Sequence, residues 1–234
     1  MSAQSNRLDR FLSQTVSGLN RKAVRLLLAQ GRVTVDGQIA REIHQSVDFF
    51  SQISLDGEIL QANQAHYVML HKPKGVVSAT QDPEHRTVID LLDHPDKHSL
   101  HIVGRLDLNS SGLLLLTNDG RWSSRLTDPE HKVEKRYQVT LENPVTEDYI
   151  SAFAEGMYFP FEEITTRPAQ LTLINDYQVE VVLTEGRYHQ IKRMFGRFRN
   201  PVLALHRVAI GSIQLDSGLA AGDSRDLSPE EWRL

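Results

Sequence analysis

Two helical patterns occupy the first 30 residues of the chain. In each pattern, apolar residues recur at spacings of three and four, which places them on one face of a helix. The two apolar faces consist of Leu8, Phe11 and Leu12 and then of Val24, Leu27 and Leu28. Asn20 is a favoured N-cap residue ahead of the second pattern, and Gly31 suits the position just beyond a helix end. The pattern therefore predicts two short helices before residue 32.

Short strands with tight turns are predicted between residues 32 and 60. Residues 32–35 alternate as in a strand and lead directly into Asp36-Gly37, and a second apolar stretch ends at Asp56-Gly57. An Asp-Gly pair between such stretches is the strongest short-range signal for a two-residue hairpin. We therefore predict a compact ααβ domain over residues 1–60, followed by the uncharged linker 61–65.

Strand-like segments dominate the rest of the chain, over residues 66–234. They cover residues 67–70, 113–116, 137–141, 169–174, 178–183, 202–205 and 208–213. These segments do not alternate regularly with helical patterns, as they would in a doubly wound parallel sheet. The predicted fold class is therefore α+β, with a mainly antiparallel sheet in the second domain.

One helix is predicted close to residue 190. Ile191, Met194, Phe195 and Phe198 follow the spacing of a single helix face. This apolar stripe can pack on the sheet, while the basic residues between its members face outward.

Basic residues are concentrated in two segments of an acidic chain. The formal net charge of −4 argues against a protein that coats nucleic acid without preference. Residues 7–41 nevertheless contain seven basic and two acidic residues, and residues 184–207 contain six basic and one acidic residue. Such segments are either solvated helix faces or contacts for nucleic-acid phosphates. The second interpretation selects five residues of the first segment: Arg7, Arg10, Arg21, Lys22 and Arg25.

The composition excludes several kinds of chemistry. The chain has no cysteine, so disulfides, thiolate nucleophiles and thiolate metal ligands are all excluded. No segment approaches the roughly 20 consecutive apolar residues of a membrane span, and the polar N-terminus, residues 1–6, lacks the apolar core of a secretory signal. We therefore expect a cytoplasmic protein without a membrane partner.

The most informative segment is 104–120, Gly-Arg-Leu-Asp-Leu-Asn-Ser-Ser-Gly-Leu-Leu-Leu-Leu-Thr-Asn-Asp-Gly. Its Ser-Ser-Gly, residues 110–112, is expected to turn the chain into an apolar strand that must be buried. Arg105 and Asp107 would then lie at the rim of a rigid core, which is a suitable place for a catalytic carboxylate. An Arg-x-Asp triplet alone is more often a surface ion pair than an active site.

The whole of segment 104–120 resembles the catalytic motif of the pseudouridine synthases, in particular of the bacterial branch that also carries an S4-type RNA-binding domain. Three segments agree with it in order and spacing: 71–75 (His-Lys-Pro-Lys-Gly), 134–137 (Glu-Lys-Arg-Tyr) and 185–194 (Glu-Gly-Arg-Tyr-His-Gln-Ile-Lys-Arg-Met). Residues 7–12 and 31–37 are similar to the S4 domain. The resemblance covers nearly the whole chain.

The resemblance implies a nucleophile. Asp107 matches the motif aspartate, which in relatives attacks a uridine that has been rotated out of the RNA stack. The uracil then detaches from N1, rotates and rejoins the ribose through C5. Because this isomerisation conserves atoms and oxidation state, we expect neither an organic cofactor nor a metal.

The resemblance also assigns supporting residues. A carboxylate enclosed under a base tends to take up a proton, so a cation must lie beside it, and Lys192 is the matching residue. Arg193 is a second candidate for that cation. Tyr137 matches the tyrosine that stacks on the target base, and Arg105 would fill the gap left by the rotated uridine. Arg187 and Arg193 are expected to contact RNA.

The expected substrate is small-subunit (16S) ribosomal RNA within an assembly intermediate, modified by a monomer. Large-subunit enzymes that share the S4 domain are the first alternative, and a non-catalytic RNA-binding or ribosome-assembly protein is the second. A carboxylate hydrolase that acts on nucleosides or sugars is the third alternative, although a glycosidase normally needs a second acidic residue and the sequence nominates none beside Asp107.

Overall fold

The computed structural model describes residues 6–233, which divide into two compact units. The first unit extends to Ala65 and includes residues 119–121, and the second contains residues 66–118 and the chain from Trp122 onward. Residues 1–5, on which the expected location partly depends, lie outside the described part. None of the helices in residues 6–233 has the length and apolar character needed to cross a membrane.

The first unit begins with a pair of helices and continues with short strands. Its elements are β1 (Asn6–Arg7), α1 (Leu8–Thr15), α2 (Arg21–Ala29), β2 (Val33–Val35), β3 (Gln38–Ile39), β4 (Ser46–Val47), β5 (Ile53–Leu55) and β6 (Glu58–Gln61). This order confirms the predicted pair of helices and the strands after it. Asn20 caps α2, because its side-chain oxygen accepts a hydrogen bond of 2.9 Å from the amide of Ala23.

Both predicted Asp-Gly turns are confirmed. Asp36 and Gly37 have φ angles of 51° and 77°, and Asp56 and Gly57 have φ angles of 53° and 85°. Positive φ at both central positions is the geometry of the two-residue turn that these pairs favour. Within residues 33–61 the turns connect β2 to β3 and β5 to β6 in an antiparallel sheet of order β3-β2-β5-β6.

The second unit is built on one large mixed sheet. The elements after residue 65 are β7 (Tyr67–Lys72), β8 (His101–Val103), β9 (Ser111–Thr117), α3 (Gly120–Thr127), β10 (Lys135–Leu141), α4 (Glu147–Glu155), β11 (Tyr158–Phe159), β12 (Ile164–Thr165), β13 (Gln170–Asn175), β14 (Gln178–Leu183), α5 (Gln190–Gly196), β15 (Val202–Ile210), β16 (Ile213–Gln214), β17 (Ser224–Asp226) and α6 (Pro229–Trp232). The sheet runs in the order β13-β14-β10-β15-β9-β7-β17. Every pair along this path is antiparallel except β15 with β9, which is parallel. The predicted α+β class with a mainly antiparallel sheet is therefore confirmed.

Strand β9 is buried on both faces. Leu113 and Leu115 pack in one apolar cluster, and Leu114 and Leu116 pack in another. Alternate side chains of a strand point to opposite faces, so this continuous leucine run covers both sides of the sheet. The loop over residues 104–110, which leads into β9, is therefore attached to a rigid support.

The predicted Ser-Ser-Gly turn is wrong. The chain reverses earlier, where the amide of Ser110 donates a hydrogen bond of 3.0 Å to the carbonyl of Asp107. Ser111 and Gly112 are the first residues of β9. Gly112 permits close packing of two strands instead, because a Cβ at this position would overlap the carbonyl oxygen of Arg207 on β15. Glycine occurs both in turns and at such close approaches, which composition alone does not separate.

Strand β15 is a single strand of nine residues, where the sequence predicts two strands over 202–205 and 208–213. His206 and Arg207 interrupt the apolar pattern but stay in the strand because their polar groups are hydrogen-bonded. Nδ1 of His206 lies 2.9 Å from Oγ of Ser111. The buried guanidinium of Arg207 donates to main-chain carbonyls. The chain turns only at Gly211, ahead of β16.

Helix α5 packs on the sheet as predicted. Ile191, Met194 and Phe195 are buried. The helix ends at Gly196, and Phe198 beyond it stacks on Tyr149 of α4 with 3.8 Å between ring centroids. The apolar stripe is therefore core, and the helix is held firmly enough to position polar side chains at its first turn.

Candidate active site

A pocket of about 220 Å³ lies beside the loop over residues 104–110. It is smaller than the roughly 300–1,000 Å³ of pockets for drug-sized ligands, so it suits one planar group. The predicted residues that line it are Arg105, Asp107, Tyr137, Arg187 and Lys192. Within residues 6–233, no group of three or more His, Asp or Glu side chains is arranged to hold a metal ion.

Asp107 and Lys192 are brought together by the fold. The carboxylate of Asp107 accepts a hydrogen bond of 3.1 Å from Nζ of Lys192 on α5. The side chains remain 31% and 30% exposed respectively, so the pair faces the pocket and is not sealed in the core. An ammonium group at this distance favours the charged form of a carboxylate. The carboxylate therefore faces the pocket, where it can reach a bound group as a nucleophile.

Tyr137 provides an aromatic surface in the same pocket. It lies on β10 between β14 and β15, and only 7% of the residue is exposed. Ile191 and Leu205 line the pocket with it. Flat apolar walls of this kind hold a planar ring by stacking and by excluding water. The arrangement therefore combines a charged carboxylate with a surface for a ring.

Lys72 is a residue of the site that the sequence interpretation missed. It ends β7 and is completely buried. Its Nζ donates hydrogen bonds to the carbonyl oxygens of Ser110 at 2.8 Å, Pro73 at 3.0 Å and Asp107 at 3.1 Å. Burial lowers the pKa of Lys72 to about 8, although the charge of Asp107 acts in the opposite direction. The loop that carries Asp107 is thereby tied to the neighbouring strand.

Arg207 supports the same loop from β15, and its role was also missed. The side chain is buried, and its guanidinium donates to the carbonyl oxygens of Leu113 at 2.8 Å and Gly104 at 2.9 Å. Lys135 lies close by, donates to the carbonyl of Val133 at 3.1 Å, and has a lowered pKa because of burial and then the charge of Arg207. Lys135 and Arg207 both line the pocket that Asp107 faces.

His189 is the third residue that the sequence interpretation missed. Its Nε2 lies 3.4 Å from Oδ2 of Asp107, close to the contact of Lys192 with the same oxygen. His189 precedes α5 with a left-handed backbone, φ 49° and ψ 30°. The only sequence signal was its place within segment 185–194, because spacing does not reveal a left-handed residue.

Arg187 and Arg193 point to different surroundings. Nε of Arg187 lies 3.0 Å from Oε2 of the buried Glu185, and Arg187 lines the pocket. Arg193 instead donates two hydrogen bonds of 2.5 Å to Glu162 and lies over the ring of Phe159. The hydrogen bonds from Arg193 lower the pKa of Glu162. The fold therefore brings Lys192, and not Arg193, to the carboxylate of Asp107.

The basic residues of the first unit divide into two groups. Arg7 and Arg21 lie 2.6 Å and 3.4 Å from Oδ2 of the buried Asp9. The hydrogen bond from Arg7 lowers the pKa of Asp9. Arg10, Lys22 and Arg25 are exposed on α1 and α2 and form no salt bridge within residues 6–233. Arg7 and Arg21 are exposed as well, at 50% and 56% of their side chains, and differ from the other three by their ion pairs with Asp9.

Comparison with known proteins gives matches to both units. A family model described as RNA pseudouridylate synthase matches residues 66–196, and an S4 domain model matches residues 6–53. Ribosomal small subunit pseudouridine synthase A of Pseudomonas aeruginosa is 50% identical over 96% of this chain and 98% of its own. The Escherichia coli protein of that name is 45% identical over 96% of this chain and 97% of its own. A crystal structure of a pseudouridylate synthase is 40% identical, covers 97% of each chain and superimposes with a TM-score of 0.70.

Proposed function

The chain belongs to the RNA pseudouridylate synthase family, and from this membership we propose that it isomerises a uridine of small-subunit (16S) ribosomal RNA to pseudouridine. The small-subunit target is supported by relatives of that name, which align with 96% of this chain. The observation that carries the mechanism is the pair formed by Asp107 and Lys192 in the pocket.

The reaction exchanges one bond for another within a single nucleotide. The N1–C1′ bond of uridine breaks, the uracil rotates and a C5–C1′ bond forms, while C5 releases a proton and N1 gains one. Atoms and oxidation state balance, so the requirements are a nucleophile, a cation beside it and a route for one proton. Asp107 is the nucleophile and forms a temporary covalent bond with the nucleotide.

Each neighbour of Asp107 has a separate task in this proposal. Lys192 keeps the carboxylate charged when the base excludes water from the pocket. Tyr137 stacks on the uracil and assists the removal of the C5 proton. A pocket of this size accepts one base, so the uridine must rotate out of its stack, and Arg105 at the rim fills the gap that it leaves.

We propose that residues 1–60 form an RNA-binding domain that delivers RNA to a catalytic domain over residues 66–234. The S4 match over residues 6–53 supports this division. Arg10, Lys22 and Arg25 are exposed on α1 and α2, where they can contact phosphates. Arg7 and Arg21 are engaged by Asp9 and would contribute less to RNA binding.

We further propose that the chain acts as a monomer in the cytoplasm, on an assembly intermediate of the small subunit. All the residues assigned to the reaction come from one chain, so a second copy is not needed to complete the pocket. An incompletely folded particle is the better substrate, because rotating a base out of RNA costs least where stacking and pairing are incomplete.

The test is to map pseudouridine in ribosomal RNA from cells that lack this chain. We expect one small-subunit position to lose pseudouridine, to regain it with the wild-type chain, and to remain unmodified with Asp107→Asn, which removes the nucleophile and hardly changes volume. A lost position in large-subunit RNA would replace the proposed target. Full modification with Asp107→Asn would remove Asp107 from the mechanism.

A further inference from the structure

Tyr188 is an exposed aromatic residue at the edge of the pocket. It lies between β14 and α5, and 71% of the residue is exposed. Its immediate neighbours in the chain, Arg187 and His189, both line the pocket. A single exposed aromatic side chain is ordinary on a protein surface. The contact of Tyr188 with His189 is what distinguishes it.

The rings of Tyr188 and His189 are stacked. Their centroids are 3.9 Å apart and their planes are inclined by 20°. Nε2 of His189 in turn lies 3.4 Å from Oδ2 of Asp107. One face of Tyr188 is therefore covered by a ring that contacts the proposed nucleophile, and the rest of the side chain is largely open.

Hydrogen bonds hold the segment that carries Tyr188 and His189. His189 has a left-handed backbone, which a residue with a Cβ keeps only where its surroundings fix it. Its carbonyl accepts a hydrogen bond of 2.9 Å from the amide of Arg193. The buried Gln190 donates to the buried Glu185 at 2.7 Å and accepts from the amide of Arg187 at 3.1 Å. The stacked pair is therefore held in place before any ligand arrives.

We propose that Tyr188 and His189 form a stacking platform for the base of a nucleotide next to the target uridine, a role that rests on the proposed function. When a uridine rotates into the pocket, its neighbour in the RNA loses a stacking partner. The open face of Tyr188 replaces that partner at the pocket edge. Arg105 and Arg187 line the same pocket, and aromatic rings among cations are how proteins hold single-stranded nucleic acid.

Steady-state kinetics on small-subunit ribosomal RNA transcripts test the platform. We expect Tyr188→Ala to raise KM by about 5- to 140-fold, the range of one lost base stack, while kcat changes by less than about 3-fold. Tyr188→Phe should restore KM, because it keeps the ring. Unchanged thermal unfolding of Tyr188→Ala would show that the loss is not one of folding.

Tyr177→Ala is the matched control. Tyr177 is 47% exposed in the turn between β13 and β14, and its carbonyl accepts from the amide of Leu141. Leu141 ends β10 four residues after Tyr137, roughly 13 Å away along the strand, so Tyr177 is remote from the pocket. We expect KM to be unchanged in Tyr177→Ala. An equal KM effect in both variants, or none in Tyr188→Ala, would overturn the platform.

Stacking on Tyr188 can be measured directly by fluorescence, with 2-aminopurine placed beside the target uridine in the RNA. Stacking on Tyr188 should quench its fluorescence with the wild-type chain and not with Tyr188→Ala, and equal quenching by both would overturn the proposal. Should the wild-type chain convert no uridine in ribosomal RNA, the proposed function fails. The affinity of Tyr188→Ala for the transcript then decides the platform by itself.

Discussion

Nζ of Lys72 donates a hydrogen bond of 3.1 Å to the main-chain carbonyl of Asp107. A fully buried cation on β7 thus holds the residue whose side chain faces the pocket. The same ammonium group binds Ser110 at 2.8 Å, so it fixes both ends of the turn that presents the carboxylate. Positions of catalytic groups depend on supporting contacts of this kind, which restrict the loop before substrate binds.

Replacing Lys72 should loosen this turn. Lys72→Met keeps the length of the side chain but leaves the carbonyl oxygens of Asp107, Ser110 and Pro73 without their donor. We expect the free energy of unfolding to fall by about 2 kcal/mol. The unsatisfied buried acceptors destabilise the variant, and the removal of a buried charge offsets part of that loss. Urea denaturation measures it. Lys74→Met, at an exposed position, should change stability by less than about 0.5 kcal/mol.

The contrast between Lys72 and the hairpin turns shows which features sequence can predict. Asp36-Gly37 is a local signal, since the two residues themselves prefer the positive φ that the turn needs. Lys72 binds the carbonyl groups of Asp107 and Ser110, which are separated from it by 35 and 38 positions along the chain. Only the tertiary fold brings these groups together. The buried ammonium of Lys72 is exceptional, because lysine is almost never fully buried.

The candidate site also contains features that the sequence predicts and features that only the tertiary fold creates. Residue types and spacing alone left Arg105 and Asp107 as an ordinary ion pair, and the resemblance of the whole segment selected Asp107. The structure then placed Lys192 beside it. His189 was missed because its backbone is left-handed, which the spacing of residues in the sequence does not predict.

Raising the pH should stabilise the fold through Lys72. Its pKa is about 8 in the folded chain against 10.5 for an ordinary lysine, so between these values the unfolded chain binds the proton more tightly. The free energy of unfolding therefore rises with pH in this window, by at most about 3 kcal/mol. The measurement is the stability difference between wild type and Lys72→Met at about pH 7.5 and about pH 9.5. A difference that is constant, or that shrinks with pH, would contradict the assignment.

Removing the cation beside Asp107 should slow turnover. Lys192→Met deletes the 3.1 Å hydrogen bond to the carboxylate while the apolar packing of α5 is retained. We expect kcat to fall by about 100-fold, as when one preorganised charge-stabilising donor is lost from an active site. Single-turnover kinetics with ribosomal RNA measure it. Lys192→Arg keeps the charge and should recover part of the rate; identical rates for Met and Arg variants would show that the charge is not required.

Exposed basic residues of the first unit should set the salt dependence of RNA binding. The triple variant Arg10→Gln, Lys22→Gln, Arg25→Gln removes exposed cations from α1 and α2. We expect the slope of log K against log salt to fall by up to about 2, because each phosphate contact to single-stranded RNA contributes about 0.7. Filter binding over a range of salt measures the slope. Arg32→Gln is the control, since Arg32 already forms an ion pair with Asp56.

Gly112 should be the glycine least tolerant of substitution near the site. Gly112→Ala would drive a methyl group into the backbone of Arg207, and its φ of 108° is unfavourable for any residue with a Cβ. We expect the free energy of unfolding to fall by about 3 kcal/mol, from overlap and backbone strain together. Gly196→Ala, with open space around the new methyl group at the end of α5, should be neutral or slightly stabilising.

The consequences of Gly112→Ala should extend to the reaction. The parallel contact between β9 and β15 also positions the guanidinium of Arg207, which holds the carbonyl of Gly104 at 2.9 Å. Separation of the two strands would move that donor away from the loop over residues 104–110, so kcat should fall even at temperatures where the variant is folded. Normal turnover in a folded but destabilised variant would show that Asp107 is placed by Lys72 and Lys192 without help from Arg207.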